Sequence, residues 1–223
     1  MTFSLAARCA ASARFGIVVT SSSPAVAARC AHARARVGAA ASQNVTDPSL
    51  GRLLLDLLAS GLSAPEAMTQ LVAAAAHAEF RQLTCVDAAG LVASYSGERT
   101  LGRHASAEGA GCVAAGNLLA DEGVPEAMVD GFEDAEGDLG DRLVAALMAG
   151  LAAGGEEGPV RSAGMLVVDA VTWPVADLRV DWRDEPIHEL AKLWLLWQPQ
   201  LDAYVARALD PSQAPSYGVP GDE

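Results

Sequence analysis

Aromatic side chains are scarce here, at 5% of 223 residues. Rings therefore fill little of the interior. Since 51% of the residues are hydrophobic, mostly Ala, Val and Leu, helix faces and β-branched strands must build the core. Positive charge is also scarce: Lys and Arg total 15 against 28 Asp and Glu, with Lys192 the single lysine and a net charge of −13. No basic stripe and no arginine–aromatic interleaving exist. This excludes nucleic acid as a partner, because neutralising phosphates is what carries such binding. An anionic membrane surface is disfavoured on the same ground. The acidity itself serves solubility.

Cys9, Cys30, Cys85 and Cys112 are scattered without CxxC spacing, so reduced thiols in the cytosol are expected rather than a disulfide framework. No cysteine pair has zinc-ligand spacing and the four histidines are dispersed, so no metal is expected. Phe3–Ala7 is too short for a signal peptide's apolar stretch, and Arg8 interrupts it. No apolar run reaches membrane-spanning length, which predicts a cytoplasmic protein with no membrane partner. Phosphate-binding and hydrolase signatures are also missing. Gly109-Ala-Gly111 begins a dinucleotide fingerprint, but Ala114 holds its third glycine position. There is no GxSxG elbow, and His188-Glu189 fails as HExxH because Lys192 stands in the second histidine's place.

What is present divides into short alternating blocks. Thr2–Cys9 and Phe15–Ser21 read as a hairpin, and Arg34–Ser42 as a further strand. Asp47 caps and Pro48 starts a helix to Ser60, with Leu50, Leu53, Leu54, Leu57 and Leu58 at helical spacing. Ser63-Ala-Pro-Glu66 is a capping box opening a helix to about His77. Phe80–Val86 and Leu91–Tyr95 flank the turn Asp87–Gly90, and Gly111–Leu119 is another strand. Helices follow at Val124–Asp134 and Leu139–Ala153, joined by a flexible bend at Glu136–Asp138, then strands at Ala163–Ala170 and Asp177–Asp181. A helix over Glu185–Leu209, broken or kinked at Pro199, closes a single domain spanning 1–210. A Pro- and Gly-rich tail, 211–223, should be extended. This grouping predicts an α+β fold with two antiparallel sheets between helix layers, not a βαβ parallel sheet.

Thr2 has one notable property. Removal of Met1 before so small a residue would expose both its hydroxyl and its α-amine. That amine titrates near 7.7–8.0, low enough to act as a general base at neutral pH.

Met1-Thr-Phe-Ser4, Phe15-Gly-Ile-Val-Val19 and Arg34-Ala-Arg-Val-Gly38 with Ser42-Gln43 and Pro48-Ser49 together resemble the family known as domain of unknown function 1028. So do Arg81-Gln82, Val86-Asp87, Gly116-Asn117-Leu-Leu-Ala120, Asp177-Leu-Arg-Val-Asp181 and the closing Tyr217–Glu223. The resemblance implies a four-layer αββα sandwich of the N-terminal-nucleophile (Ntn) hydrolase kind. It implies Thr2 as nucleophile, Asn117 as an oxyanion donor, Arg34 as a cation lowering the nucleophile's pKa, and Ser162 as a further candidate. Three positions depart from that family's pattern: Ser22 where a basic residue is usual, His32 where an aromatic is, and Ala110 where an acid is. Arg36 is a candidate to compensate for the first.

Each candidate also has a plain structural reading. Asn117 suits a turn after glycine, Arg34 an ion pair or stem packing, and Ser162 a hydrogen-bonded strand start. His32 suits a strand edge. Trp173, Trp182, Trp194 and Trp197 suit core or interface, and Trp194 with Trp197 on one helix face suggests a homodimer. The functional expectation is an amidohydrolase cleaving a small amide through Thr2, with no cofactor. The alternative is a non-catalytic member binding a metabolite or protein in the same cleft.

Overall fold

The computed structural model describes residues 1–221. Asp222 and Glu223, which end the closing motif and the expected extended tail, lie outside the described residues. Among the described residues, ten strands and seven α-helices follow in chain order: β1 (Thr2–Arg8), β2 (Phe15–Ser21), α1 (Ala27–Cys30), β3 (Ala31–Arg34), β4 (Gly38–Asn44), α2 (Pro48–Ala59) and α3 (Ala64–Ala74). Next come β5 (Arg81–Asp87), β6 (Val92–Ser96), β7 (His104–Gly109), β8 (Cys112–Asn117), α4 (Val124–Asp134) and α5 (Leu139–Ala152). The last are β9 (Ser162–Val168), β10 (Pro174–Val180), α6 (Pro186–Trp197) and α7 (Leu201–Leu209).

The strands form two antiparallel sheets, as the grouping of elements predicted. One runs β10-β9-β2-β1-β8-β7 and the other β3-β4-β5-β6. Both faces of β1 and β2 are covered, which is why every residue of β2 is buried. On β1, Phe3, Leu5 and Ala7 join the core under α4, α5 and α6, while Ala6 turns to the other sheet. Between the sheets sit Ala6, Ile17, Ala39, Ala41, Val86 and Val113, a layer of mostly small side chains. Few rings are needed to fill it. On the far side of the second sheet, α2 and α3 pack on Ala40, Leu83 and Cys85.

Local signals place the helices. Asp47 accepts from the Ser49 amide at 2.9 Å to start α2, and Ser63 with Glu66 forms the expected capping box on α3. The Glu136–Asp138 bend, expected to be flexible, ends instead in a second capping box in which the Asp138 amide donates to Asp141 at 2.9 Å. Other boundaries differ from expectation. Arg34–Ser42 is not one strand but the hairpin β3–β4, turning at Arg36, whose φ is +62°. Residues 104–109 form an unexpected strand, and Gly109–Gly111 is its hairpin turn to β8 rather than a phosphate loop.

Trp194 and Trp197 face the protein's own core. The Trp194 indole lies where a Gly140 Cβ would be, within 2.2 Å, and donates to Asp141 at 2.8 Å. Trp197 donates to the Val175 carbonyl at 2.9 Å and stacks on Tyr204. The two tryptophans therefore form no exposed stripe on α6: Trp194 is buried and Trp197 partly so. Past Leu209 the tail turns back, with Arg207 3.9 Å from the Tyr217 ring centroid and its Nε donating to the Pro215 carbonyl at 2.9 Å. Among the described residues no helix is long and apolar enough to cross a membrane.

Candidate functional site

At one end of the layer between the sheets, the small apolar side chains give way to a buried polar network. Antiparallel pairing sets Thr2 opposite Asn117, Ser21 opposite Ser162 and His104 opposite Asn117. Directly paired residues share a sheet face with Cβ atoms about 4.5–5.5 Å apart. Thr2 and Asn117 are therefore neighbours, and Thr2 Oγ1 also lies 3.3 Å from Ser21 Oγ. Thr2 is only 6% exposed and Asn117 fully buried.

Glutamine side chains from the opposing sheet complete the network. Ser4 Oγ donates to Gln43 Oε1 at 2.7 Å, and Gln43 Nε2 donates to Gln82 Oε1 at 2.8 Å and to the Ala115 carbonyl at 3.1 Å. Gln82 Nε2 donates to the Gly116 carbonyl and to Ser96 Oγ, each at 3.0 Å. These backbone acceptors fix both amide orientations, leaving Gln82 Oε1 as an acceptor that also receives Asn117 Nδ2 at 3.1 Å. Asn117 Oδ1 is consequently buried with no partner. Leaving such an acceptor unbonded typically costs about 1–3 kcal/mol. One Nδ2 hydrogen and one acceptor thus remain free beside Thr2.

The Met1 carbonyl oxygen accepts hydrogen bonds from both Thr2 Oγ1 and Ser21 Oγ. Ser21 Oγ also accepts the Ser23 amide at 3.0 Å.

A carboxylate with no counterpart in the sequence analysis joins this end. Gly154 and Gly155, with φ of +115° and +60°, bend the chain after α5 so that Glu156 turns inward. Bonds from the Glu157 amide to Leu118 O at 2.9 Å and from the Ala120 amide to Gly155 O at 3.0 Å pin the bend. Glu156 is 5% exposed, and the Ser22 amide donates to its oxygens at 3.3 and 3.2 Å. Burial pushes its carboxyl up to about 7, partly offset by the positive charge of the chain's amino group and by the Ser22 bonds. Beside it a cavity of about 250 Å³ runs between Leu151, Pro159, Val160 and Ile187.

Of the expected site residues, Thr2 and Asn117 come together. Ser162 stands one strand further along the same row. Its hydroxyl donates to the Ser23 carbonyl at 2.6 Å and accepts the Val26 amide at 3.2 Å, so it holds the loop after Ser21. Arg34 is elsewhere. It pairs with Gly38, whereas the polar network begins at Gln43, roughly 17 Å further along β4 at about 3.3 Å per residue. Its guanidinium binds Asp56 at 2.7 Å. His32 is pressed against α2 at Gly51, and burial lowers its pKa. Ala110 sits in the β7–β8 turn, at the other end of β8 from Asn117. Ser22 does adjoin the site, through its amide on Glu156. Among the described residues, no group of three or more His, Cys, Asp or Glu is arranged to hold a metal ion.

Comparison with known proteins gives one sequence match and structural ones. The model of a family of unknown function, DUF1028, matches residues 2–190. No curated protein matches the chain. A crystal structure of a Silicibacter pomeroyi protein assigned to the same family is 28% identical, with 87% of this chain and 88% of that one covered and a TM-score of 0.82. A solved structure of Anbu (ancestral beta-subunit) from Yersinia bercovieri covers 91% of this chain and 97% of that one at 11% identity. Its TM-score of 0.39 carries no structural argument.

Proposed function

We propose, from the premise that the chain belongs to the family of unknown function DUF1028, that it is an N-terminal-nucleophile amidohydrolase acting on a small amide through Thr2. The observation that carries this reading is the setting of Thr2. It is the first residue of a central strand, its hydroxyl is buried among Ser21, Asn117 and the Met1 carbonyl, and Ser22, next to Ser21, donates its amide to Glu156 in the wall of a cavity. The helix–sheet–sheet–helix stacking accords with an Ntn-type sandwich.

Once the residue before Thr2 is removed, its α-amine takes the hydroxyl proton and Oγ1 attacks the amide carbonyl. Asn117 has one Nδ2 hydrogen left to offer the developing oxyanion, the other being given to Gln82. The amine product leaves with the proton, and water then hydrolyses the Thr2 ester. Arg34 has no part in this scheme; Ser162 holds the Ser21–Val26 loop. The chemistry needs no metal or organic cofactor. The four free cysteines accord with a cytoplasmic setting.

The test is hydrolysis of a panel of small amides by protein carrying Thr2 at its terminus. Thr2→Ala should abolish turnover with the fold intact, and Thr2→Ser should keep part of it. Wild-type turnover by Thr2→Ala would remove the nucleophile assignment. A second reading, ligand binding without catalysis, is favoured by one observation: with Met1 attached, the Thr2 nitrogen is an amide and both nearby hydroxyls are spent on the Met1 carbonyl. Protein that retains Met1 and binds amides without turnover would support it.

A further inference from the structure

Met1 is held at two points and lies in the field of a buried carboxylate. Its carbonyl oxygen is held by the Thr2 and Ser21 hydroxyls. Its thioether lies over Gly158, with Cε 3.6 Å from where a Cβ would stand. Among the described residues its amino group is the one positive charge that acts on the buried Glu156 carboxyl, from beyond ion-pair distance. Glu156 and Gly158 both line the 250 Å³ cavity, whose other walls include Leu151, Pro159, Val160 and Ile187. Glu185 in its lining adds negative charge, while Asp184 is paired with Arg161. A space below the roughly 300–1,000 Å³ of pockets for drug-sized ligands suits one amino-acid-sized group.

When Met1 is gone, a buried carboxylate, an apolar slot and a carbonyl-binding hydroxyl remain at Thr2. Leaving a buried carboxylate without a counter-charge is costly, so the space Met1 leaves, beside the cavity wall at Glu156 and Gly158, favours a cation. We propose that this cavity is the acyl subsite of Thr2, and that it takes a protonated α-amino acyl group with an unbranched apolar side chain, its ammonium on Glu156 and its carbonyl at Ser21. This rests on the Thr2 reading above and specifies its substrates as α-amino acid amides. In the reaction Thr2 Oγ1 forms an ester bond to the aminoacyl carbon while the C–N bond breaks. The hydroxyl proton passes through the Thr2 α-amine to the departing amine. Water then cleaves the ester, releasing the free amino acid and restoring the hydroxyl. Carboxylate-bearing acyl groups meet Glu156 and Glu185 and are rejected.

The experiment separates subsite from catalysis. Protein released from a cleavable fusion with residue 2 at its terminus is prepared as wild type, Thr2→Ala, and Thr2→Ala combined with Glu156→Gln or with Gly158→Leu, each checked for folding by circular dichroism. Binding of L-methioninamide and of N-acetyl-L-methioninamide is measured by calorimetry at pH 8. The expected result is that Thr2→Ala binds L-methioninamide and not the acetylated amide. Glu156→Gln should weaken binding by about ten- to a hundredfold, the usual worth of a hydrogen bond to a charged group. Gly158→Leu, which fills the slot without touching the carboxylate, should also abolish it. Equal binding of the two amides, or binding insensitive to both substitutions, overturns the subsite. Selective binding with no turnover by the Thr2 protein keeps the subsite and overturns the catalytic reading instead.

Discussion

Glu156→Gln tests the electrostatics of the site independently of any substrate. The carboxyl stands at about 7 against an ordinary value of 4.5 because burial disfavours its charge. At about 1.4 kcal/mol per unit, the displacement corresponds to about 3 kcal/mol. The folded-state value is the raised one, so the folded protein holds the proton more tightly than the unfolded chain. That stabilising contribution is whole below about pH 4.5 and is lost as pH climbs through about 7. Glutamine never ionises. Its carbonyl can accept the Ser22 amide, while its NH₂ leaves a donor to satisfy at a cost of about 1–3 kcal/mol that does not vary with pH. The readout is therefore the change with pH of the stability difference, measured by urea unfolding from pH 4 to 8.5. The variant should gain on the wild type by about 3 kcal/mol across that range, which for a chain of this size is a relative rise in Tm of roughly 6–12 °C. A difference flat with pH would mean that Glu156 titrates as if solvated and that burial does not hold its proton.

Other consequences are more local. Cys85 and Cys112 are pushed up to about 12, chiefly by burial, while for Cys9 the hydrogen bonds from Ser12 and Ala11 outweigh burial and lower its pKa. Iodoacetamide at pH 8 should therefore label Cys9 first, with Cys85 and Cys112 protected until the protein unfolds; peptide mapping reads this out. Gly51→Ala would bring a Cβ to 2.1 Å from the His32 ring and should cost about 1–3 kcal/mol in chemical denaturation. We propose a homodimer through Leu195 and Leu196, each 66% exposed on α6, in place of Trp194 and Trp197. Leu195→Asp with Leu196→Asp should then halve the sedimenting mass.

The features legible in the sequence were those with a local cause. Asp47, Pro48 and the Ser63–Glu66 box marked helix starts because capping acts within a few residues. The strand groups on either side of paired helices were enough to imply two antiparallel sheets. Detail that depends on distant partners was not legible. Leu53 fitted the helical spacing of α2 yet faces solvent, and Leu55 is buried in its place, because the second sheet lies on that side. The β3–β4 turn hid within an Ala-Arg repeat whose left-handed residue is Arg36, not a glycine. At the site, Thr2 stood out through the chemistry of its amine, and Asn117 through the resemblance. Arg34 did not reach them, since strand position places it near Asp56. Gln43 and Gln82 look in sequence like ordinary strand polar residues, and only sheet stacking turns them toward Asn117. Glu156, in Gly154-Gly-Glu-Glu-Gly158, reads as a solvated loop acid. Nothing local indicates that the two glycines fold it inward.

Whether Thr2 is the nucleophile is read out by covalent mapping. Protein with Thr2 at its terminus is treated with an electrophilic aminoacyl ester probe, digested, and the adduct located by tandem mass spectrometry. A single adduct on Thr2 is expected, lost in Thr2→Ala and retained in Ser162→Ala. An adduct at Ser162, Ser21 or a cysteine that persists undiminished in Thr2→Ala would contradict it.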